Sequence, residues 1–351
     1  MSEENQSEMK EKRMKILFIG GTGTISTAIT KKLAASEHEL YLLNRGNRNA
    51  ELPEGVKFII ADINNEAEAA KALEGMSFDV VCDFIGFVPE QLQRDFRLFN
   101  GKTKQFMYIS SASAYAKPVK DYVITEGTAL ANPYWEYSRN KIACEDYLMK
   151  MYRENGFPVT IIRPSHTYCE REVPAGVHGR NGSWQIIKRM LEGKPILVQG
   201  DGTTLWTMTD SRDFANAFIG LMGNVHAIGE AYQITNDESL TWNQIYQAIA
   251  NHLNVEYKPY YVATEFLCAV SPKEYDYAGG LLGDKSNTVV FDNSKVKRAV
   301  PGFAPSIRFE EGVARTLDYV LSHKECQKDD PEFDAWCDKV IETLENAKKS
   351  F

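Results

Sequence analysis

A glycine-rich turn near the amino end constrains the fold of this chain more than any other feature. The mainly apolar run MKILFIG (residues 14–20) leads directly into GTGTIS, and a helical pattern continues from there to about Ser36. A short apolar run is typical of a strand buried on both faces, and a glycine turn lets the backbone enter a helix at once. This order predicts the first strand, turn and helix of a parallel α/β sheet.

The first half of the chain repeats this alternation. Further strands are predicted at residues 39–44, 56–62, 78–87, 105–111 and 158–164, with helical patterns at 66–75, 89–99 and 134–155. Strands that alternate with helices indicate a doubly wound parallel sheet of the Rossmann type. Past Pro164 the alternation gives way to loops and short helices, which predicts a smaller, mixed α/β lobe.

The glycine turn also has the features that a dinucleotide requires. Its glycines leave a bare backbone, so a pyrophosphate can approach the free amides at the start of the helix. Ser26 stands where a third glycine would pack the helix against the strand, and serine is the next smallest choice. We assign cofactor contacts to this loop: Gly20, Thr22, Gly23, Thr24 and Ile25.

The ends of the second and third predicted strands bear on the identity of the cofactor. Asn44 and Arg45, with Arg48 close by, replace the acidic residue that would hold a ribose 2′-hydroxyl. A guanidinium attracts a 2′-phosphate, so NADP is favoured over NAD, although an asparagine can also bind a free ribose hydroxyl. Asp62 and Ile63 are expected at the adenine edge, with a helix-capping aspartate as the alternative.

Composition restricts the function further. A net charge of −8 argues against a broad nucleic-acid-binding face or an anionic membrane partner. No apolar run approaches the ~18 residues that span a bilayer. The six cysteines show neither metal-binding nor disulfide spacing, so we expect reduced thiols, no metal site and a cytoplasmic protein.

The chain is long enough for two lobes, because its 351 residues exceed the size at which single cores divide. Residues 1–13 are expected to be a disordered leader, since they are polar and lack the apolar core of a signal peptide. Residues 14–165 are predicted to form an NAD(P)-binding domain, to which segments near 205–235 and 285–295 return. Residues 166–351 are predicted to form mainly a substrate-binding lobe.

Tyr137 and Lys141 form the only Tyr-x-x-x-Lys pair in the chain. Residues i and i+4 share a helical face, so the ammonium can lie near the phenol. A nearby cation would lower the phenol pKa from about 10 and make it a useful acid or base. Lys141 is also expected to hold the nicotinamide ribose, and Ser111, at the end of the fifth strand, to hydrogen-bond the substrate oxygen.

Taken together, the motifs GGTGTIS, DI at 62–63, YISSASAY, YSRNK and IIRPSHTY resemble the extended short-chain dehydrogenase/reductases, the NAD(P)-dependent epimerase/dehydratase family. The resemblance runs from Met14 to about Phe309. It implies an NAD(P) cofactor and catalysis by Ser111, Tyr137 and Lys141. We also assign Pro164 to the residues that bind the cofactor. It also implies a homodimer built on the helices near 89–99 and 134–155.

Several departures from the family narrow the reaction and the substrate. Ala112 and Ser113 stand where the 4,6-dehydratases have two acids, so redox chemistry or epimerisation is preferred to dehydration. His166 and Trp206 stand where an asparagine and an arginine hold the diphosphate of a nucleotide sugar, which favours a free sugar or a polyol. Four basic residues are the alternative source of charge: Arg180, Lys188, Arg189 and Arg308. Candidate substrate contacts are Phe84, Ser113, Tyr115, His166 and Trp206.

The leading hypothesis is an NAD(P)-dependent oxidoreductase or epimerase that acts on a hydroxyl or keto carbon of a sugar, sugar nucleotide or polyol. Both reactions use the same residues, so the sequence leaves them open. The alternative is a non-catalytic or RNA-binding member, similar to the chloroplast stem-loop RNA-binding relatives in its Asn44-Arg45-Gly46 segment. The acidic net charge and the intact catalytic residues argue against an RNA partner.

Overall fold

The computed structural model describes residues 13–47 and 52–351. Almost all of the predicted leader and Arg48 therefore lie outside the described residues. The strands are β1 (Lys15–Ile19), β2 (Glu39–Asn44), β3 (Lys57–Ile60), β4 (Phe78–Asp83), β5 (Thr103–Ile109), β6 (Val123–Ile124), β7 (Val159–Pro164), β8 (His166–Tyr168), β9 (Ile196–Gln199), β10 (Leu205–Trp206), β11 (Met208–Asp210), β12 (Ala231–Ile234), β13 (Leu240–Thr241), β14 (Pro259–Val262) and β15 (Val290–Phe291). The helices are α1 (Ser26–Ala34), α2 (Glu66–Ala72), α3 (Pro89–Phe99), α4 (Glu136–Asn155), α5 (Trp184–Leu191), α6 (Ser211–Leu221), α7 (Trp242–Leu253), α8 (Thr264–Val270), α9 (Ser294–Ala299), α10 (Phe309–Ser322) and α11 (Pro331–Lys348).

Seven strands form one parallel sheet in the order β12-β7-β5-β4-β1-β2-β3. This confirms the predicted doubly wound α/β fold. The chain order reverses between β1 and β4, and ligands of such sheets bind at that crevice, outside the carboxyl ends of the strands. The glycine turn after β1 and the segment after β4 both lie there.

Side-chain alternation along the strands builds a core on each face of the sheet. Ile16 and Phe18 of β1 belong to the cluster that includes buried side chains of α1 and α6. Leu17 and Ile19 point the other way and pack in the cluster that includes α3 and α4. All four are fully buried, as expected of a central strand of a parallel sheet covered on both sides.

A third core cluster draws mainly on the chain beyond residue 166, with Trp242 of α7 and Phe333 of α11 among its buried members. Thr241 and Gln244 form the capping box that starts α7. β12 adds the last strand to the large sheet beside β7, within the segment expected to return there. The division into lobes near residue 165 stays a prediction. Within the described ranges, no helix is long and apolar enough to cross a membrane.

Candidate active site

The loop between β1 and α1 is shaped by two glycines and closed by a serine. Gly20 and Gly21 have φ angles of +99° and +104°, and a Cβ on Gly21 would lie 2.7 Å from Leu42 Cδ2. Ser26 is buried, and its Oγ accepts the N–H of Gly23 at 2.9 Å. Ser26 is therefore more than a small packing residue, because its hydroxyl fixes the loop. The bare backbone beside the start of α1 fits a pyrophosphate.

Asn44 at the end of β2 is engaged by the turn that follows it. Its Oδ1 accepts the N–H of Gly46 at 2.7 Å, while Arg45 is exposed. A side chain held in this way defines the chain path at the edge where the adenosine ribose of a dinucleotide would lie. The preference for NADP stays a prediction, since it depends on the guanidinium of Arg45.

Asp62 after β3 shapes a turn and does not cap the next helix. Its Oδ1 accepts the N–H of Asn64 at 3.0 Å, and α2 is capped by Asn65, whose side chain accepts the N–H of Glu68. Ile63 is 4% exposed and packs in the core below the sheet edge. The capping alternative for Asp62 is thereby wrong, and the adenine contact stays a prediction.

The stretch predicted as a helix from residue 134 becomes helical at Glu136. Asn132 ends the preceding loop, and its Oδ1 accepts the N–H groups of Tyr134 and Trp135, each at 3.2 Å. Tyr137 thus lies in the first turn of α4, where the helix start is held against the end of β5.

Ser111 and Tyr137 come together, as the sequence predicted for a catalytic pair. The side chain of Ser111 lies close enough to the phenol of Tyr137 to act on its pKa, which it lowers. Ser111 Oγ lies 2.9 Å from Ser113 Oγ, which accepts a hydrogen bond from Ser138 Oγ at 2.7 Å. A chain of hydroxyls therefore fixes Ser111 beneath the phenol.

Lys141 lies one helical turn further on and is 2% exposed. Its Nζ donates to the carbonyl oxygens of Gly86 at 2.7 Å and Ile109 at 2.8 Å. Three aromatic rings surround the ammonium, with 4.8 to 5.7 Å between Nζ and the ring centroids: Phe87, Tyr108 and Tyr137. The lysine is locked in place by the ends of β4 and β5.

The expected lowering of the tyrosine pKa is wrong for this structure. Burial raises the pKa of Tyr137 to about 12, opposed by the contact with Ser111. The ammonium of Lys141 lies 5.7 Å from the centre of the tyrosine ring and donates to two carbonyls, so desolvation of the phenol dominates. Burial also lowers the pKa of Lys141 to about 8. Tyr137 therefore holds its proton near neutral pH and is suited to donate it.

A cavity of about 320 Å³ lies beside Ser111. It is lined by residues predicted to bind the cofactor and by residues predicted to act on or contact the substrate: Thr24, Ile25, Ser111, Ser113, Pro164, His166 and Trp206. A larger, open cleft of about 1570 Å³ is lined by Thr22, Gly23 and Thr24 of the glycine loop. Thr24 lines both cavities, so the glycine loop borders the cavity beside Ser111 as well as the larger cleft.

His166 and Trp206 interact with each other in the wall of this cavity. Trp206 Nε1 donates to His166 Nδ1 at 3.3 Å, and the indole stacks on Trp242 with 5.8 Å between ring centroids. Burial lowers the pKa of His166 to about 3, so the imidazole is neutral and can accept this bond. Both predicted residues line the pocket, and neither brings a positive charge to it.

One candidate substrate contact, Tyr115, is wrong. Tyr115 is fully buried, because the tight turn after Ser111 points its ring back into the core. Its hydroxyl donates to Gln233 at 2.9 Å and accepts from Arg163 at 3.3 Å. Phe84 is partly buried and packs edge-on against Phe18, with ring centroids 5.0 Å apart, and its contact with a substrate stays a prediction.

The pocket also contains ionisable residues that no sequence motif marked: Lys117, Glu172, His178, Asp284 and Lys285. Lys117 is 5% exposed, and no described residue forms a hydrogen bond or ion pair with its ammonium. Asp284 and Lys285 end a π-helix, Ala278–Lys285. No motif or spacing marks these residues, although the GDK segment at 283–285 places two opposite charges side by side.

Comparison with known proteins agrees with this arrangement. The sequence model of the NAD dependent epimerase/dehydratase family matches residues 16–235. 2′-Dehydrokanamycin reductase from Streptomyces kanamyceticus is 23% identical over 317 residues, which cover 90% of this chain and 86% of that protein. Chloroplast stem-loop binding protein of 41 kDa b from Arabidopsis thaliana is 24% identical, with 85% of this chain and 77% of that protein covered.

A solved structure shows the same fold. UDP-glucuronic acid 4-epimerase from Bacillus cereus, determined with UDP-glucuronic acid and NAD, superposes with a TM-score of 0.69 at 20% identity. The match covers 88% of this chain and 99% of that one. With a family match over more than half of its length, the chain belongs to the NAD-dependent epimerase/dehydratase family, the extended short-chain dehydrogenase/reductases.

Proposed function

We propose that this protein transfers a hydride between NAD(P) and a hydroxyl or keto carbon of a sugar-like substrate, with Tyr137 as the acid/base. One observation carries the proposal: Ser111, which acts on the phenol of Tyr137, lines a cavity that also reaches the glycine loop. Proton donor, oxygen-binding hydroxyl and cofactor loop are thus within one site.

Each residue has a distinct role in this chemistry. A bound nicotinamide supplies the hydride in reduction and accepts it in oxidation. Tyr137 gives its phenol proton to the carbonyl oxygen during reduction and takes it back from the alcohol in the reverse direction. Ser111 donates a hydrogen bond to the same oxygen. Lys141 holds a positive charge below the phenol, which stabilises the phenolate that forms after proton transfer.

The pocket favours a substrate without a diphosphate at its reacting ring. His166 and Trp206 are neutral and bonded to each other, whereas a buried diphosphate requires cations. The charged residues nearby balance, because Lys117 and Lys285 face Glu172 and Asp284. A free sugar or polyol, with many hydroxyls and no net charge, satisfies such a wall better than a nucleotide sugar.

NADP is the proposed cofactor form, because Arg45 is exposed beside the turn after β2 and no described residue pairs with it. A homodimer through α3 and α4 is proposed from the family resemblance. Fluorescence titration of the full chain with NADPH and NADH tests the first point, and the second is checked by its mass in solution.

The central experiment compares Tyr137→Phe with Tyr134→Phe. Both remove one phenolic hydroxyl, but Tyr134 is 43% exposed and lies before the helix, so it serves as the matched control. With keto sugars and polyols followed at the nicotinamide absorbance, we expect Tyr137→Phe to lose about 10²- to 10⁴-fold in kcat. Cofactor affinity should be unchanged in both variants.

Full turnover by Tyr137→Phe would refute the mechanism. A substrate that is converted without change in the absorbance would assign an epimerase, and net consumption of NADPH a reductase. RNA binding at physiological salt, with no cofactor bound, would favour the alternative suggested by the chloroplast stem-loop binding relative.

A further inference from the structure

Two carboxyl groups are buried together behind Lys141. Asp83 ends β4, Asp95 lies in the middle of α3, and each is 0% exposed. The two side chains lie close enough across the space between sheet and helix for the charge of Asp83 to act on the carboxyl of Asp95. The sequence analysis assigned no role to either residue, and the proposed mechanism does not use them.

The pair has more acceptor atoms than donors. Asp83 Oδ1 accepts the N–H of Ile85 at 2.8 Å, and Asp95 Oδ1 accepts Arg94 Nε at 2.8 Å. The Oδ2 atom of each carboxyl is buried, and no donor in the described part of the chain reaches it. Two ionised carboxylates in contact repel each other strongly, whereas one proton between them satisfies both oxygens.

Gly86 connects this pair to the catalytic lysine. A Cβ on Gly86 would lie 2.3 Å from Asp83 Oδ2, so only glycine lets the carboxyl come this close to the backbone. The carbonyl oxygen of the same glycine accepts Lys141 Nζ at 2.7 Å and the hydroxyl of Tyr108 at 3.2 Å. The carboxyl of Asp83 and the ammonium of Lys141 therefore lie against the same residue, Gly86.

We propose that Asp83 and Asp95 share one proton and that the remaining negative charge, on Asp83, is the counter-charge that keeps Lys141 protonated. Asp83 is then a positioning residue, because it acts on the reaction only through Lys141. The consequence for catalysis rests on the proposed function. The charge of Lys141 itself can be measured without any substrate.

The surroundings of the pair agree with this assignment. Burial, and then the charge of Asp83, raise the pKa of Asp95 well above its usual range, so the shared proton is assigned to Asp95 although Arg94 Nη2 lies 2.8 Å from its Oδ1 and opposes the shift. Burial lowers the pKa of Lys141, and Asp83 opposes this more than any other group. Besides Cys82, whose pKa is raised by burial, and Arg97, which is paired with Glu66, four ionisable groups act on the pair from α3, β5 and α4: Arg94, Tyr108, Lys141 and Cys144.

Two of these four groups are neutral near pH 7. Burial raises the pKa of Tyr108 well above its usual value and that of Cys144 to about 11. Glu145, which also acts on Lys141, is bound by Arg163 in a buried ion pair of 2.6 Å. Arg94 and Lys141 are therefore the buried cations that act on the single charge of the pair.

Asp83→Asn and Asp95→Asn test the proposal as a matched pair. Each asparagine keeps the shape, donates a hydrogen bond to the remaining aspartate and leaves one negative charge. Asp83→Asn moves this charge away from Lys141, and Asp95→Asn keeps it beside Lys141. The pKa of Lys141 is read by NMR from full-length protein labelled with [ε-¹³C]lysine, with the resonance identified by its absence in Lys141→Met.

We expect Asp83→Asn to lower the pKa of Lys141 by about 1 or more, and Asp95→Asn to leave it unlowered. Equal values in both variants would overturn the proposal. If Asp83→Asn does not fold, infrared spectra of the wild type and Asp95→Asn at pH 8 still decide. The wild type should show a neutral carboxyl band that the variant lacks, and its absence from the wild type would refute a shared proton.

These measurements do not depend on turnover. If the two asparagine variants shift the pKa of Lys141 as expected but Tyr137→Phe keeps full activity, the proposed function is refuted and the proposal for the carboxyl pair stands. Full loss of activity in Tyr137→Phe, with no difference between the two asparagine variants, would refute only the carboxyl pair.

Discussion

The two lysines at this site differ in almost everything except burial. Lys141 is 2% exposed and donates to two carbonyl oxygens, whereas Lys117, 5% exposed, has an ammonium that no described residue binds. The first belongs to the catalytic wall built by β4, β5 and α4. The second belongs to the opposite wall, together with Asp284 of the π-helix.

This difference separates the residues proposed to carry out the reaction from those proposed to bind the substrate. Lys117 interacts with the charge of Asp284 but has no hydrogen-bond partner among the described residues, so its ammonium is free to donate to a ligand. The catalytic wall is already complete, because its hydroxyls and its ammonium satisfy one another or the backbone. We infer that the protein organises its reactive groups before binding and leaves its specificity groups open for the substrate.

Lys141→Met should have the largest effect on the catalytic wall. It removes the cation below the phenol, so kcat should fall by about 10²- to 10⁴-fold. It also leaves the carbonyls of Gly86 and Ile109 without their donor, so the free energy of unfolding should decrease. Steady-state kinetics and thermal unfolding measure the two effects.

Lys117→Met makes the same substitution on the opposite wall and should act in the opposite sense on stability. Burial lowers the pKa of Lys117, which shows that its charge is unfavourable in the folded protein. Methionine removes that cost, so the melting temperature should rise. The substrate loses one charged hydrogen bond, so KM should increase about tenfold while kcat changes little.

A drop in kcat as large as that of Lys141→Met would show that Lys117 belongs to the chemistry. An unchanged KM would remove it from the binding wall. Either result would end the distinction between the two lysines.

The same comparison explains what the sequence could predict. Strand and helix periods are local, so β2 and α3 were found with their observed ends, and the i, i+4 rule found Tyr137 and Lys141. Spacing says nothing about desolvation, however. The pKa of Tyr137 depends on how deeply the phenol is buried, which the fold as a whole determines.

The opposite wall escaped prediction because its residues come from distant segments with no common pattern. Asn132 joins two of these segments, since its Nδ2 donates to the carbonyls of Ser113 at 2.8 Å and Gly283 at 2.7 Å. This contact places the π-helix, and hence Asp284, against the end of β5. The prediction that Tyr115 contacts the substrate failed for the converse reason. Its place in the loop at the end of the fifth strand suggested exposure, whereas the tight turn after Ser111 buries the ring.

The titration of Asp284 gives the smallest expected effect and is the most specific test of the opposite wall. Burial raises its pKa to about 6, with Lys117 and Lys285 opposing the shift. The carboxylate is therefore present above pH 6 and is lost as the pH falls through that value. If it accepts a hydrogen bond from a substrate hydroxyl, KM should rise a few-fold between pH 7.5 and 5. In Asp284→Asn the KM profile should be flat over this range.

The stability of the folded protein as a function of pH provides an independent check on the pKa of Asp284. Between its usual pKa and about 6, Asp284 binds a proton in the folded state that the unfolded chain has released, so it stabilises the protein as the pH falls. The wild type should gain melting temperature relative to Asp284→Asn from pH 7 to 5. His166 and His178, with pKa values lowered by burial to about 3 and about 4, stay neutral throughout. Glu172 also faces this pocket, and burial raises its pKa. If KM were independent of pH in Glu172→Gln but not in Asp284→Asn, the titrating group would be Glu172.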